Sequence, residues 1–276
     1  MNIKLSVIIP SYKDPLLQKT IDSLLSNSEL ADELEIIAVL DGYWQVLKND
    51  RRLRIFHLGR NRGMRGAINA GVDIARGEYI MRVDEHQIFG EGYDRILTSQ
   101  CKDNWIVTPR RYTLDVEKWE VMKEIPPVDF AILKIINMGE CKDFEDHEGK
   151  DKRIRKFSGV RRPGDDSQKI QESMAMQGSC WLMKRSWWDK VIGELQTEGY
   201  GPLYQDSHEM VFKTWKAGGK LMVNKNTWHA HKHHKFKRTH NDGTKENPAN
   251  KIASWKYCID VWGDYYENEI KPKWNL

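Results

Sequence analysis

Along the first hundred residues, short unbroken apolar runs alternate with stretches of helical spacing. Leu5-Ser6-Val7-Ile8-Ile9-Pro10 reads as one continuous run, the pattern of a central parallel strand covered on both faces. Pro10-Ser11-Tyr12 ends it, and Leu17, Ile21, Leu24 and Leu25 then recur at helical spacing within residues 16–25. Leu34 to Leu40 is a second buried strand, stopped by Asp41-Gly42, and Leu53 to Leu58 a third. Residues 60–76 read as a turn and a helix with Ile68, Val72 and Ala75 on one side, followed by a strand from Tyr79 to Val83. This β-α-β-β-α-β order predicts an α/β fold with a mostly parallel, right-handed central sheet flanked by helices, of the kind that binds nucleotides. A helix from Tyr93 to Cys101 and a strand from Trp105 to Thr108 extend it.

From Pro109 to Ser173 clear periodicity is lost. Pro126-Pro127, a charged segment from Glu140 to Arg155, and Pro163-Gly164-Asp165-Asp166 mark this stretch as an insertion facing an acceptor or as a variable loop, two readings of equal weight. Order returns at Ala175 to Met183, an apolar strand interrupted by Gln177-Gly178-Ser179. A short helix capped by Ser186 is expected at 186–192. A clearer one spans 206–217, with Met210, Val211, Thr214 and Trp215 inward and Gly218-Gly219 ending it. Lys220 to Asn224 is a strand, and Trp228 to His234 holds four histidines in seven residues. The tail from Asn250 reads as helical and aromatic, packing back on the domain. The expected organisation is one domain over 1–245 and a helical tail over 246–276. The domain divides into a nucleotide-binding half (1–108), a variable acceptor-side insertion (109–173) and a catalytic half (174–245).

Composition narrows the class. A chain of 276 residues, 39% apolar and 30% charged, can bury a core as a soluble globular protein. It has no apolar run of transmembrane length, and its N-terminal apolar stretch is too short and wrongly flanked for a signal peptide. Cys101, Cys141, Cys180 and Cys258 are scattered without a CxxC pair. That argues against a disulfide scaffold or structural zinc and for a reducing, cytoplasmic setting. The net charge is only +4, yet Lys150–Arg162 and Lys232–Arg238 are strongly basic, as solvated loops or as sites for an acidic partner. Eight of the eleven tryptophans lie in the last hundred residues; most suit a core, and one or two suit a sugar or aromatic acceptor.

The strand from Tyr79 to Val83 ends abruptly in Asp84-Glu85-His86. With a period of two, Asp84 and His86 project to the same side. A carboxylate and an imidazole at the carboxyl edge of such a sheet can share a divalent cation where open α/β folds bind ligands. Mixed oxygen and imidazole donors suit Mn²⁺, or a similar borderline ion, better than Ca²⁺. No G-x-G-x-x-G follows the first strand and no P-loop lysine motif occurs, which excludes the two commonest uses of a nucleotide-binding sheet.

Together these segments resemble the GT-A fold glycosyltransferases, nearest to family 2 and to the catalytic domains of polypeptide N-acetylgalactosaminyltransferases, over residues 4 to about 100 and 174 to 234. Ser6-Val7-Ile8-Ile9-Pro10-Ser11-Tyr12 looks like the family's opening strand, and Asn61-Arg62-Gly63 through Ala67, Asn69 and Gly71 its Asn-x-Gly-x-x-x-Ala-x-Asn-x-Gly helix. Asp84-Glu85-His86 is similar to an Asp-x-His metal motif. Gly178-Ser179-Cys180-Trp181, Asp206-Ser207-His208-Glu209 and Trp215-Lys216-Ala217-Gly218-Gly219 follow in the family's order. The resemblance implies a metal-dependent hexosyl- or N-acetylhexosaminyltransferase using a UDP-sugar, with Asp84, His86 and His231 on Mn²⁺ or Mg²⁺. It implies donor contacts from Pro10, Ser11, Tyr12, Asp41, Asn61, Arg65, Asp84, Glu85 and Gly178. Arg65 reaches a phosphate or forms a helix-surface salt bridge. Asp206 becomes the acceptor-activating base if the enzyme inverts, or a donor-sugar contact if it retains, while Glu209 positions it or caps the helix. Leu40-Asp41-Gly42 departs from the family's two consecutive acids, leaving only Asp41 for the nucleoside. Lys232 to Asn241, with Gly243, are expected to form a lid.

The acceptor (protein, glycan, lipid-linked sugar or modified nucleic acid) is not legible. Three rival readings stand beside the transferase. Two imidazoles and a carboxylate also fit a non-haem iron triad, against which the spacing across a whole sheet counts. A nucleotidyltransferase would carry a glycine- and lysine-rich loop where this chain has Ser11-Tyr12-Lys13-Asp14. A polyanion- or nucleic-acid-binding module on a degenerate transferase fold would use the basic loops and tryptophans.

Overall fold

The computed structural model describes residues 2–137, 154–162, 165–232 and 248–276. β1 (Leu5–Ser11), α1 (Leu17–Ser26), β2 (Leu34–Asp41), β3 (Leu53–Leu58), α2 (Gly63–Ile74) and β4 (Tyr79–Val83) follow the expected order. Next come β5 (Gln87–Phe89), α3 (Tyr93–Gln100), β6 (Trp105–Asp115), β7 (Glu120–Val121), β8 (Phe130–Asn137), β9 (Arg155–Arg162) and β10 (Ile170–Glu172). β11 (Cys180–Lys184), α4 (Arg185–Trp187), α5 (Asp206–Lys216), β12 (Lys220–His231), α6 (Pro248–Tyr265) and α7 (Lys271–Lys273) complete the described elements.

The large sheet runs β10-β12-β6-β11-β4-β1-β2-β3, with β5 paired to β12 and β7 to β6. β4, β1, β2 and β3 pair parallel throughout, as do β6 and β12. β11 enters antiparallel to both β4 and β6, so the sheet is mixed, with the parallel block β4-β1-β2-β3 at one end. Every residue of β1 and β2 is buried, because side chains alternate between two apolar layers. Ile8, Ile37, Val39, Ile80 and Trp181 face the layer that includes α2 and α5. Val7, Ile9, Ile36, Ala38 and Met81 face the layer of α1 and α3.

Several boundaries differ from expectation. The strand expected at 105–108 runs to Asp115, and that expected at 220–224 runs to His231, because the two pair in register along their length past an irregularity between Asn224 and Trp228. The ladder supplies order there that the charged Arg110-Arg111 pair hides. Residues 175–179 lie outside the strand expected at 175–183, which begins at Cys180. The helix expected at 186–192 begins at Arg185 without a side-chain cap and passes into a π turn over Trp188–Ile192 that buries both Trp187 and Trp188. The 109–173 stretch is not featureless: β8 and β9 form a separate antiparallel pair, packed through Phe157 against Phe212 of α5 and Tyr266 of the tail. Cys101, Cys180 and Cys258 are buried and unpaired. Cys141, residues 150–153 and 233–238 of the two basic runs, and the expected lid beyond Lys232 lie outside the described residues. Among the described residues, no helix is long and apolar enough to cross a membrane.

Candidate active site

A pocket opens where β1, β2 and β4 end and α2 begins, the crevice outside the carboxyl ends of parallel strands. Pro10, Ser11 and Tyr12 form one wall; Asp41, Asn61 and Gly63 another; Asp84, Glu85 and His86 the floor. Met64, Ala67, Arg82 and Leu203 complete it.

Asp41 is held by the helix it faces. Arg62, at the N-cap of α2, offers no side-chain cap, and the Asp41 carboxylate fills that role. It accepts the backbone N–H groups of Arg62 at 2.6 Å and Gly63 at 2.8 Å. Burial pushes its carboxyl up to about 6, against the pull of those two N–H groups. Asn61 donates to the Asp41 carbonyl at 3.3 Å. The backbone N–H of Tyr12 donates to Glu85 at 3.2 Å, and the Tyr12 ring meets Tyr43 edge-on. Tyr43 also bonds Ser11, and burial pushes its phenol up to about 12. Burial, reinforced by Asp14, holds the Glu85 carboxyl well above the usual range.

The floor is built by register. β12 pairs antiparallel with β5, matching His229 to Phe89, Ala230 to Ile88 and His231 to Gln87. The backbone N–H of Lys232 then reaches the His86 carbonyl at 3.3 Å. This sets His231 beside the short link between β4 and β5. Its Nε2 stands 2.9 Å from Asp84 Oδ2 and 3.1 Å from His86 Nε2. One ligand atom from each of Asp84, His86 and His231 lies within 4.8 Å of the others. Asp14 is buried and sits 2.9 Å from His86 Nδ1. With Nδ1 donating to that carboxylate, Nε2 carries the lone pair that faces the cluster.

Electrostatics favour the ligand forms. Burial pushes the Asp84 carboxyl up, but Arg82, His231 and His86 outweigh it and hold the group below the usual carboxylate range. Burial keeps His231 toward its neutral form, with Asp84 pulling the other way. One carboxylate oxygen and two imidazole nitrogens, with an orienting carboxylate behind one ring, fit a borderline divalent cation.

Other expected residues lie elsewhere. Arg65 does not reach the pocket. It is fully buried on the face of α2 turned to residues 194–205, where its Nε and Nη2 donate to the Tyr204 carbonyl at 2.8 and 2.6 Å, and Nη1 to Gln196 at 2.8 Å and to Glu209. Its neighbour Met64 takes the pocket position instead, one residue's rotation around the helix. Glu209 is equally buried; it holds Arg65 and Lys213 rather than Asp206. Gly178 and Asp206 flank the pocket without lining it. Asp206 heads α5, its buried Oδ2 has no hydrogen-bond partner among the described residues, and that atom lies 4.0 Å from where a Cβ on Gly178 would stand.

Sequence reasoning passed over Arg82, Asp14, Met64 and Leu203. Arg82 carried a signal, a lone charge within the otherwise apolar strand Tyr79–Val83. Asp14 entered only as part of Ser11-Tyr12-Lys13-Asp14, the stretch that lacks a nucleotidyltransferase loop; in the structure its Oδ1 accepts the Leu16 N–H at 2.7 Å.

The model of glycosyl transferase family 2 matches residues 6–192. An uncharacterized glycosyltransferase, EpsJ of Bacillus subtilis (strain 168), is 33% identical over 108 residues, covering 36% of this chain and 30% of that protein. Glycosyltransferase GlyG of Streptococcus pneumoniae serotype 4 (strain ATCC BAA-334 / TIGR4) is 27% identical over 143 residues, 48% of this chain and 47% of that protein. The chain thus spans less than half the length of these curated relatives. Among solved structures, GalNAc-T7 crystallised with UDP, GalNAc and Mn²⁺ superposes with a TM-score of 0.69 at 16% identity, over 98% of this chain and 50% of that one. S. aureus TarS 1-349 gives 0.53 at 12% identity, over 83% and 60%.

Proposed function

The chain belongs to glycosyl transferase family 2 and has the GT-A fold, and from that premise we propose that it moves a glycosyl group from a nucleoside-diphospho-sugar to an acceptor hydroxyl. The observation that carries this reading is the meeting of Asp84, His86 and His231 on the floor of a pocket at the strand ends. These three residues hold a divalent cation, Mn²⁺ in preference to Mg²⁺ given two imidazole donors. Once bound, such a cation supplies Lewis-acid stabilisation of the departing diphosphate. A UDP-sugar is the proposed donor, in keeping with a structural neighbour that was crystallised with UDP, GalNAc and Mn²⁺; a hexosyl or N-acetylhexosaminyl group is the proposed cargo.

The chain's own groups do the rest. Tyr12 and Asp41 bound the nucleoside end, and the lone pairs that Asp41 does not spend on α2 accept a base N–H or a ribose hydroxyl. Pro10, Ser11, Asn61 and Glu85 wall the donor. Gly178, having no side chain, leaves room between the pocket and Asp206. The unpartnered Asp206 Oδ2 takes the acceptor hydroxyl's proton in an inverting transfer. Residues 1–108 serve as the donor half and 174–245 as the catalytic half, with 109–173 on the acceptor side and 246–276 as a helical tail. A cytoplasmic, reducing setting accords with three buried, unpaired cysteines.

The test follows free-nucleotide release from UDP- and GDP-sugars by purified protein with Mn²⁺. Slow Mn²⁺-dependent release from one UDP-sugar, lost in Asp84→Ala, is expected. No release and no calorimetric binding of any nucleotide, with or without metal, would sink the transferase reading.

A further inference from the structure

Arg82 stands where three walls of the pocket meet. It rises from β4, and its side chain is 2% exposed. Nη2 donates to Asp84 Oδ1 and lies 3.0 Å from Met64 Sδ on α2. Nη1 donates to the carbonyl of Gly178, just before β11. The same residue lines the pocket.

These contacts divide the Asp84 carboxylate between two duties. Arg82 engages Oδ1, and Oδ2 lies 2.9 Å from His231 Nε2. The carboxylate cannot turn about its own axis without breaking one of the two. Charge compensation alone would require only a cation near Asp84. The observed arrangement uses two separate nitrogens of one planar group, one for Asp84 and one for Gly178, which a single ammonium cannot span in the same way.

We propose that Arg82 is a positioning residue for the cation site. It fixes Asp84 with Oδ2 alone turned toward His86 and His231, and it ties that orientation to the Gly178 carbonyl just before β11. The proposal rests on the reading of Asp84, His86 and His231 as cation ligands.

Mn²⁺ titration of the intact protein, by calorimetry and by the electron paramagnetic resonance of free Mn²⁺, tests it without reference to turnover. Arg82→Lys keeps the charge and removes the fork; Mn²⁺ affinity is expected to fall roughly 10- to 100-fold, with the melting transition still cooperative. In an Asp84→Asn background the same change should cost nothing further, because Arg82 acts through the carboxylate. Unchanged or tighter Mn²⁺ binding in Arg82→Lys would overturn the proposal, as would an undiminished further loss in the double variant. Should Arg82→Lys fail to fold, the same cycle with Arg82→Gln carries the same two expectations. A wild-type protein that binds no Mn²⁺ removes the cation-site reading and the proposal together. A wild type that binds, matched by Arg82→Lys, removes the proposal alone.

Discussion

Arg65 and Arg82 are both buried to 2% exposure or less, and both face a carboxylate, yet their surroundings differ in kind. At Arg65 all three guanidinium nitrogens meet acceptors fixed in the fold, Tyr200 lies beneath the group at 4.3 Å, and Glu209 has a second cation in Lys213. Nothing there is left to bind a ligand. At Arg82 the Nε–H has no partner among the described residues, the residue lines the pocket, and its carboxylate is shared with a histidine cluster. A buried polar group without a partner costs about 1–3 kcal/mol. One arginine joins α2 to the 196–209 segment; the other lines the pocket beside the proposed cation ligands.

The contrast can be broken in several ways, the largest effect first. Asp84→Ala is expected to lower donor turnover by more than about 100-fold, with a stability loss smaller than that of Arg65→Ala because Asp84 is 23% exposed and Arg82 keeps the Gly178 carbonyl. A parallel collapse of stability would erase the distinction between the two regions. Arg65→Ala should do the reverse. The change leaves Glu209 to Lys213 and takes the donor from the Tyr204 and Gln196 carbonyls, a cost of about 1–3 kcal/mol read by denaturant unfolding, while metal affinity of the folded fraction stays unchanged. A loss under about 1 kcal/mol would show that the pair is not a structural joint. Gly63→Ala probes the seam itself. Gly63 has φ +75°, and a Cβ there would lie 2.7 Å from the Pro202 carbonyl oxygen. We expect a loss of about 1–3 kcal/mol, with weaker nucleotide binding because Gly63 N–H also holds Asp41. Unaltered stability would mean that residues 200–203 yield freely.

The smallest effect concerns pH. His208 stacks on Phe157, and burial lowers its imidazole to about 4, with Asp206 opposing and Lys156 and Arg65 assisting. A histidine with a depressed folded pKa binds fewer protons folded than unfolded between about 4 and 6.5, so stability falls as pH drops through that window. His208→Gln should flatten the melting temperature over that range, and equal acid sensitivity in both proteins would rule His208 out as its source.

The donor half was legible because strands buried on both faces write themselves as continuous apolar runs, and because Asp84 and His86 need only a period of two to share a side. Long-range partnership was not. Whether a charged residue on α2 meets solvent or a carboxylate 144 positions later, as Arg65 does, depends on how the loop at 194–205 returns. Asp14 and His86 are likewise joined only by packing. The strand pair β8–β9 was overlooked for a different reason. The run Phe130–Asn137 is apolar enough to read as a strand, but its partner Arg155–Arg162 is largely cationic and masks the pairing. The four-histidine stretch was noticed as composition and the family resemblance singled out His231 from it; the β12–β5 register is what sets that histidine beside Asp84.

That register carries a temporal consequence. Asp84 and His231 are separated by 147 positions, and the β-strand that delivers the second is the last described strand of the chain. The proposed ligands thus arrive in two stages, Asp84 and His86 with the β4–β5 link and His231 only when β12 pairs with β5, so the docking of one late strand sets when the three can act together.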